Sequence, residues 1–171
     1  ALVDYCDERS LPLWLVSEQR SRFNYHFNDR VPVVMAEIHT EIPERCDLHT
    51  MLQEPVVKDV MFLTAQEVRE GPLSFMPHAR STQWFIHGQD IIPAEGGKLP
   101  AMRFMAEANG WTPDELMAFG DSENDNEMLR YAGTGVAMGN ALEETKAASD
   151  YVTDDCDDEG VAHALAHFAL I

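Results

Sequence analysis

Three apolar runs of three or four residues, 116–119 (LMAF), 135–138 (GVAM) and 151–153 (YVT), alternate with helical stretches in the second half of this sequence. Strands so short and so apolar are buried on both faces, and helices between them act as crossovers. The pattern calls for a parallel sheet covered on both sides. The spacing predicts helices over 124–131, 142–148 and 161–170. It also predicts one over Lys98–Asn109, where Met102, Met105 and Ala106 share a face. Pro100 is tolerable in the first turn of that helix, and Gly110 is a natural stop. Thr112-Pro113-Asp114-Glu115 has capping-box spacing with proline at the first helical position. Residues 91–171 therefore read as part of a doubly wound α/β domain.

Residues 1–90 follow a different grammar. The chain opens at Ala1 in a half-apolar stretch that reads as helix, and most of the aromatic residues follow within this part. Short β-like runs cover 12–16 (PLWLV), 31–38 (VPVVMAEI), 56–63 (VVKDVMFL) and 82–87 (TQWFIH), with a helical patch over 64–70. Pro, Gly, Asn and Asp punctuate them. This is the pattern of an α+β module with a largely antiparallel sheet. The expected division is thus 1–90 and 91–171.

Charge narrows the partners. Lys and Arg number 12 against 30 Asp and Glu, a net charge of 12 − 30 = −18. Nucleic acid and anionic membrane surfaces attract the opposite balance, so neither is an expected partner. No apolar run approaches the length of a membrane span. Cys6, Cys46 and Cys156 are widely spaced, form no CxxC pair, and read as reduced thiols. With no charged-then-apolar leader at the start, the expected location is cytoplasmic.

The residues suited to chemistry lie at the end of the LMAF run, in Phe119-Gly120-Asp121-Ser122-Glu123-Asn124-Asp125. A strand end lifts Asp121 above the sheet, and Gly120 allows a tight turn. Ligands of open α/β sheets sit beyond such carboxyl ends. Two carboxylates and an amide oxygen suit a hard cation such as Mg²⁺. On spacing alone, Asp121 and Asn124 read equally well as helix caps. An EF-hand fails, because Asn126 stands where the turn glycine is needed and Ala132 where a bidentate Glu is needed. Lys98, at a helix start, is poorly placed against the positive helix end unless an anion lies nearby. His163 and His167, at i,i+4, lack an acidic or cysteine partner at suitable spacing and read as a surface pair.

The stretch from about Ile91 to the end closely resembles the C-terminal signature of the haloacid dehalogenase-like (HAD) hydrolases, and more narrowly their Cof-type phosphatases. The resemblance rests on Gly120-Asp121, Asn124-Asp125, Met128-Leu129, Ala132-Gly133, the run GVAMGNA at 135–141, and Gly160-Val161. It implies the C-terminal part of a HAD core at 91–171, with 1–90 as the α+β cap that selects substrate. It also implies Mg²⁺ as cofactor and a small phosphorylated metabolite, such as a sugar phosphate, as substrate. Asp121 then matches the aspartate that ligates the metal. Asp125 matches the second acidic residue of that motif, which supports the metal and takes part in catalysis. Asn124 matches the amide that binds the substrate phosphate. Lys98 matches the catalytic lysine that neutralises the phosphate and the attacking carboxylate, although Leu99-Pro100 after it departs from the small residues common there.

The same resemblance calls for a nucleophilic Asp-x-Asp after an apolar strand, and none is found. Val3-Asp4 has the wrong spacing, and Asp155-Cys156-Asp157 lies in a polar run. The expectation is a chain with little phosphatase activity by itself. A non-catalytic binding or oligomerisation module is the alternative. The family's first strand would flank LMAF. Without it, that strand is expected to present an apolar edge, either pairing in a homo-oligomer or belonging to a longer polypeptide.

Overall fold

The structure, a computed structural model, describes residues Ala1–Ile171. Contacts divide it into two compact units, Ala1–Ala94 and Glu95–Ile171.

The first unit runs α1 (Leu2–Glu8), β1 (Leu13–Ser17), β2 (Ser21–Phe23), α2 (Arg30–Glu37), β3 (Val56–Met61), α3 (Ala65–Glu70), β4 (Ala79–Phe85) and β5 (Gly88–Pro93). Its five strands form one sheet in the order β2-β1-β3-β5-β4, antiparallel throughout. Alternation along the strands gives the sheet two apolar faces. Leu13, Leu15, Met61 and Ile91 pack with Leu2, Val3 and Cys6 of α1 and Val68 of α3. Phe23, Val60 and Phe62 pack with Val31, Val34 and Met35 of α2. Trp84 and Phe85 lean on this second cluster, whereas Ile86 is exposed in the β4–β5 turn.

Two sequence expectations change here. Residues 31–38 read as a strand from their β-branched composition, yet Arg30–Glu37 is a helix. Val31, Val34 and Met35 recur at helical spacing and are the residues it buries, and Pro32 falls in the first turn. Tertiary burial of that stripe outweighs the small propensity penalty of valine. The expected boundary at residue 90 falls inside β5, which pairs Ile91 with both Asp59 and Ser81. Residues 91–93 therefore belong to the first sheet.

The second unit runs α4 (Lys98–Asn109), β6 (Met117–Gly120), α5 (Asn126–Tyr131), β7 (Thr134–Ala137), α6 (Glu143–Lys146), β8 (Tyr151–Val152) and α7 (Gly160–His167). The three strands are parallel in the order β6-β7-β8, with β6 at one edge. Helix α4 ends at Gly110, whose φ of 71° is the left-handed conformation glycine adopts without strain. The Thr112 backbone N–H then donates to the Glu115 carboxylate at 2.8 Å, ending the turn that leads into β6. Ala118, Leu129 and Ala132 form its core, with Met102, Leu116 and Met128 against them. The chain is thus a mixed α/β structure, one unit built on an antiparallel sheet and the other on a parallel one. No helix is long and apolar enough to cross a membrane.

Candidate active site

Beyond Gly120, the last residue of β6, the chain makes a single 3-10 turn over Glu123–Asp125 before α5. Asp125 is the hub of this turn, with its side chain 1% exposed. Its Oδ2 accepts the backbone N–H of Asp121 at 3.0 Å and that of Ser122 at 3.3 Å. Its Oδ1 accepts Lys98 Nζ from the first turn of α4. A buried carboxylate is tolerable only when paired and hydrogen-bonded, and both conditions hold here. The anion that the lysine at this helix start needed is therefore Asp125. Lys98 remains half exposed, with N–H donors left over for a ligand.

Gly120 serves this arrangement through space rather than through backbone conformation. Its φ is not positive, but a Cβ added there would collide with Cβ and Cγ of Asp125. The glycine lets the Asp125 side chain tuck beneath the strand end. The loop is further tied by Met138 N–H to Gly120 O at 2.9 Å and by Leu142 N–H to Asp121 O at 3.1 Å.

Asp121 and Asn124 do not act as helix caps. The Asp121 carboxylate is exposed and makes no hydrogen bond within the chain, while its backbone is held on both sides. Asn124 Oδ1 accepts the Ser122 hydroxyl at 2.8 Å, and its Nδ2 donates to nothing in the chain. All four residues singled out in the sequence thus belong to one loop and the helix start beside it, but with different duties. The oxygens of Asp125 are engaged by protein donors, whereas Asp121 offers a hard, free carboxylate at the rim, the donor type Mg²⁺ takes. Sequence reasoning missed Ser122. Its only signal was its place between the two candidate ligands.

Other candidates are accounted for structurally. His163 Nδ1 pairs with Asp154 at 2.8 Å, and His167 stacks on Tyr151 with ring centroids 4.3 Å apart, so the two histidines share no metal. Asp155, Cys156 and Asp157 group closely but lie on a 3-10 turn after β8, not at the end of a strand.

The chain is similar to proteins of one family. The family model described as haloacid dehalogenase-like hydrolase matches residues 1–165. A phosphoglycolate phosphatase of Methanothermobacter thermautotrophicus is 33% identical over 152 residues, covering 84% of this chain and 67% of that protein. A solved structure of a HAD subclass IIB sugar phosphatase superposes with a TM-score of 0.85 at 29% identity. Another, from work on a trigonal-bipyramidal intermediate in a phosphoryl-transfer superfamily, reaches 0.88 at 29% identity. Each superposition covers 99% of this chain and 65% of the other, so the chain spans about two-thirds of their length.

Proposed function

The chain belongs to the haloacid dehalogenase-like hydrolases of the Cof type, and on that premise we propose that it carries the metal and phosphate side of a phosphomonoester hydrolase. The substrate class is a sugar phosphate or another small phosphorylated metabolite, the first unit acts as the cap that selects it, and the protein is cytoplasmic. The observation that carries this reading is the buried Asp125, which fixes Lys98 and the 121–122 backbone while the Asp121 carboxylate and the Asn124 NH₂ stay free beside it.

Phosphoryl transfer depends more on positioning and charge neutralisation than on covalent work by many side chains. Asp121 would hold Mg²⁺, which supplies positive charge against the phosphate oxygens when bound. Lys98 provides a second positive charge, aimed by Asp125. Asn124 donates N–H to a phosphate oxygen. Within these 171 residues no Asp-x-Asp ends an apolar strand, so we propose that the chain alone has little turnover. That absence also favours a second reading, a module that binds phosphorylated metabolite without hydrolysing it.

The test combines calorimetric Mg²⁺ titration with an aryl phosphate assay. Asp121→Ala is expected to weaken Mg²⁺ binding by at least about tenfold, because the site loses the free carboxylate at the strand end. No phosphate release is expected from the unaltered chain. Turnover that vanishes in Asp121→Ala would overturn the inactive-alone part. Mg²⁺ affinity indifferent to both Asp121 and Asp125 would leave only an acidic cation binder.

A further inference from the structure

A carboxamide has two unlike ends, and the end that faces outward decides what it can bind. An outward oxygen would add a ligand for Mg²⁺. An outward NH₂ would bind phosphate oxygens and repel a cation. The structure turns the oxygen of Asn124 inward, where it accepts the Ser122 hydroxyl at 2.8 Å. The oxygen is thereby engaged inside the loop, and Nδ2 is left without a partner in the half-exposed side chain. Ser122 is itself anchored, because its backbone N–H donates to Asp125 Oδ2, on the carboxylate that also holds Lys98.

We propose that Ser122 is a positioning residue that commits Asn124 to the substrate phosphate rather than to the metal. This rests on the phosphatase reading above. It divides the labour of the loop. Asp121 takes the cation, Lys98 and Asn124 take the anion, and Ser122 keeps the third from competing with the first. This division depends on the direction of one hydrogen bond.

The test is a titration of the whole chain with orthophosphate, and separately with Mg²⁺, followed through the side-chain amide signals in ¹H–¹⁵N spectra. Three proteins are compared: the unaltered chain, Ser122→Ala and Ser122→Thr. Phosphate is expected to shift the Asn124 NH₂ signals of the unaltered chain. Ser122→Ala should weaken phosphate binding by about five- to tenfold, the loss typical of one orienting hydrogen bond. Ser122→Thr, which keeps the hydroxyl, should restore it. Mg²⁺ affinity should stay within about twofold in all three, since the Asp121 carboxylate makes no hydrogen bond to Ser122. Retained backbone dispersion shows that the loop still folds.

Unchanged phosphate affinity in Ser122→Ala would overturn the proposal, and so would failure of Thr to rescue. A loss of Mg²⁺ affinity in place of phosphate affinity would show that the amide turns its oxygen outward, and the proposal would fall. If orthophosphate leaves even the unaltered chain unmoved while Mg²⁺ binds at Asp121, the phosphatase reading itself fails and takes this inference with it.

Discussion

The two units solve the problem of burial in opposite ways. In the first, large side chains fill both faces of an antiparallel sheet. Of the twelve largest fully buried side chains, eleven lie there, and only Leu129 belongs to the second. The second unit relies on small residues and close backbone approach. Ala118, Ala132, Ala137 and Ala164 are buried, and a Cβ at Gly135 would meet the Leu129 carbonyl. In the first unit a Cβ at Gly88 would meet the Trp84 ring, and one at Gly71 both the Tyr5 hydroxyl and the Glu67 carbonyl. The contrast separates jobs. A core of large apolar groups gives stability by area, whereas tight backbone packing fixes strand ends to within fractions of an ångström. The buried carboxylate that organises the site lies in the unit built the second way.

The most severe challenge to this contrast is Phe62→Ala. Phe62 is fully buried against Phe23, with ring centroids 5.4 Å apart. The substitution should cost about 4 kcal/mol, from lost burial and the cavity left behind. Urea unfolding followed by the fluorescence of Trp14 and Trp84 would measure it. A cost under about 1 kcal/mol would mean that area is not what stabilises the first unit.

Gly135→Ala probes the other unit. The atom its Cβ would strike is backbone, which cannot swing aside as a side chain can. A loss of about 2–3 kcal/mol is expected, a typical cost of overpacking. Gly88→Ala should cost less, because the Trp84 ring can shift. Equal costs in thermal unfolding would remove the distinction between the two kinds of packing.

The smallest effect concerns Asp59, which lies between Leu15 and Ile91 across the first sheet and lines an apolar cavity of ≈ 430 Å³. Burial pushes its carboxyl up from the ordinary 3.8 to about 6. A raised carboxyl means that the folded state holds the proton more tightly than the unfolded one. Stability is therefore lost as pH rises from about 4 to 6, and the full penalty applies above that. Asp59→Asn removes the charge. It should stabilise the protein by about 2 kcal/mol at pH 7–8, and the gain should vanish by pH 4. A gain independent of pH would point to packing instead of charge.

Much of the second unit was legible in the sequence because its signals are local. The range of α4, its stop at Gly110, the Thr112–Glu115 turn and the alternation of short strands with helices all follow from spacing and cap chemistry within a few residues. The first unit was harder to read. Its α2 carries a strand's composition on a helix's spacing, and only packing against Phe23 and Phe62 decides between them. Strand β5 was missed because Gly88-Gln89-Asp90 at its start carries no apolar alternation of its own.

The site divides along the same line. Sequence by itself determined which residues could do chemistry, since Asp121, Asn124, Asp125 and Lys98 stand out by type, spacing and family resemblance. It could not assign their duties. Asp121 and Asp125 are the same residue four positions apart, yet one is exposed and free while the other is buried and saturated with donors. That difference depends on a lysine 27 positions away in the chain and on the space left by Gly120. Hydrogen bonds and burial are set by distances in three dimensions, so only the tertiary structure decides which of two like carboxylates is left to meet a ligand.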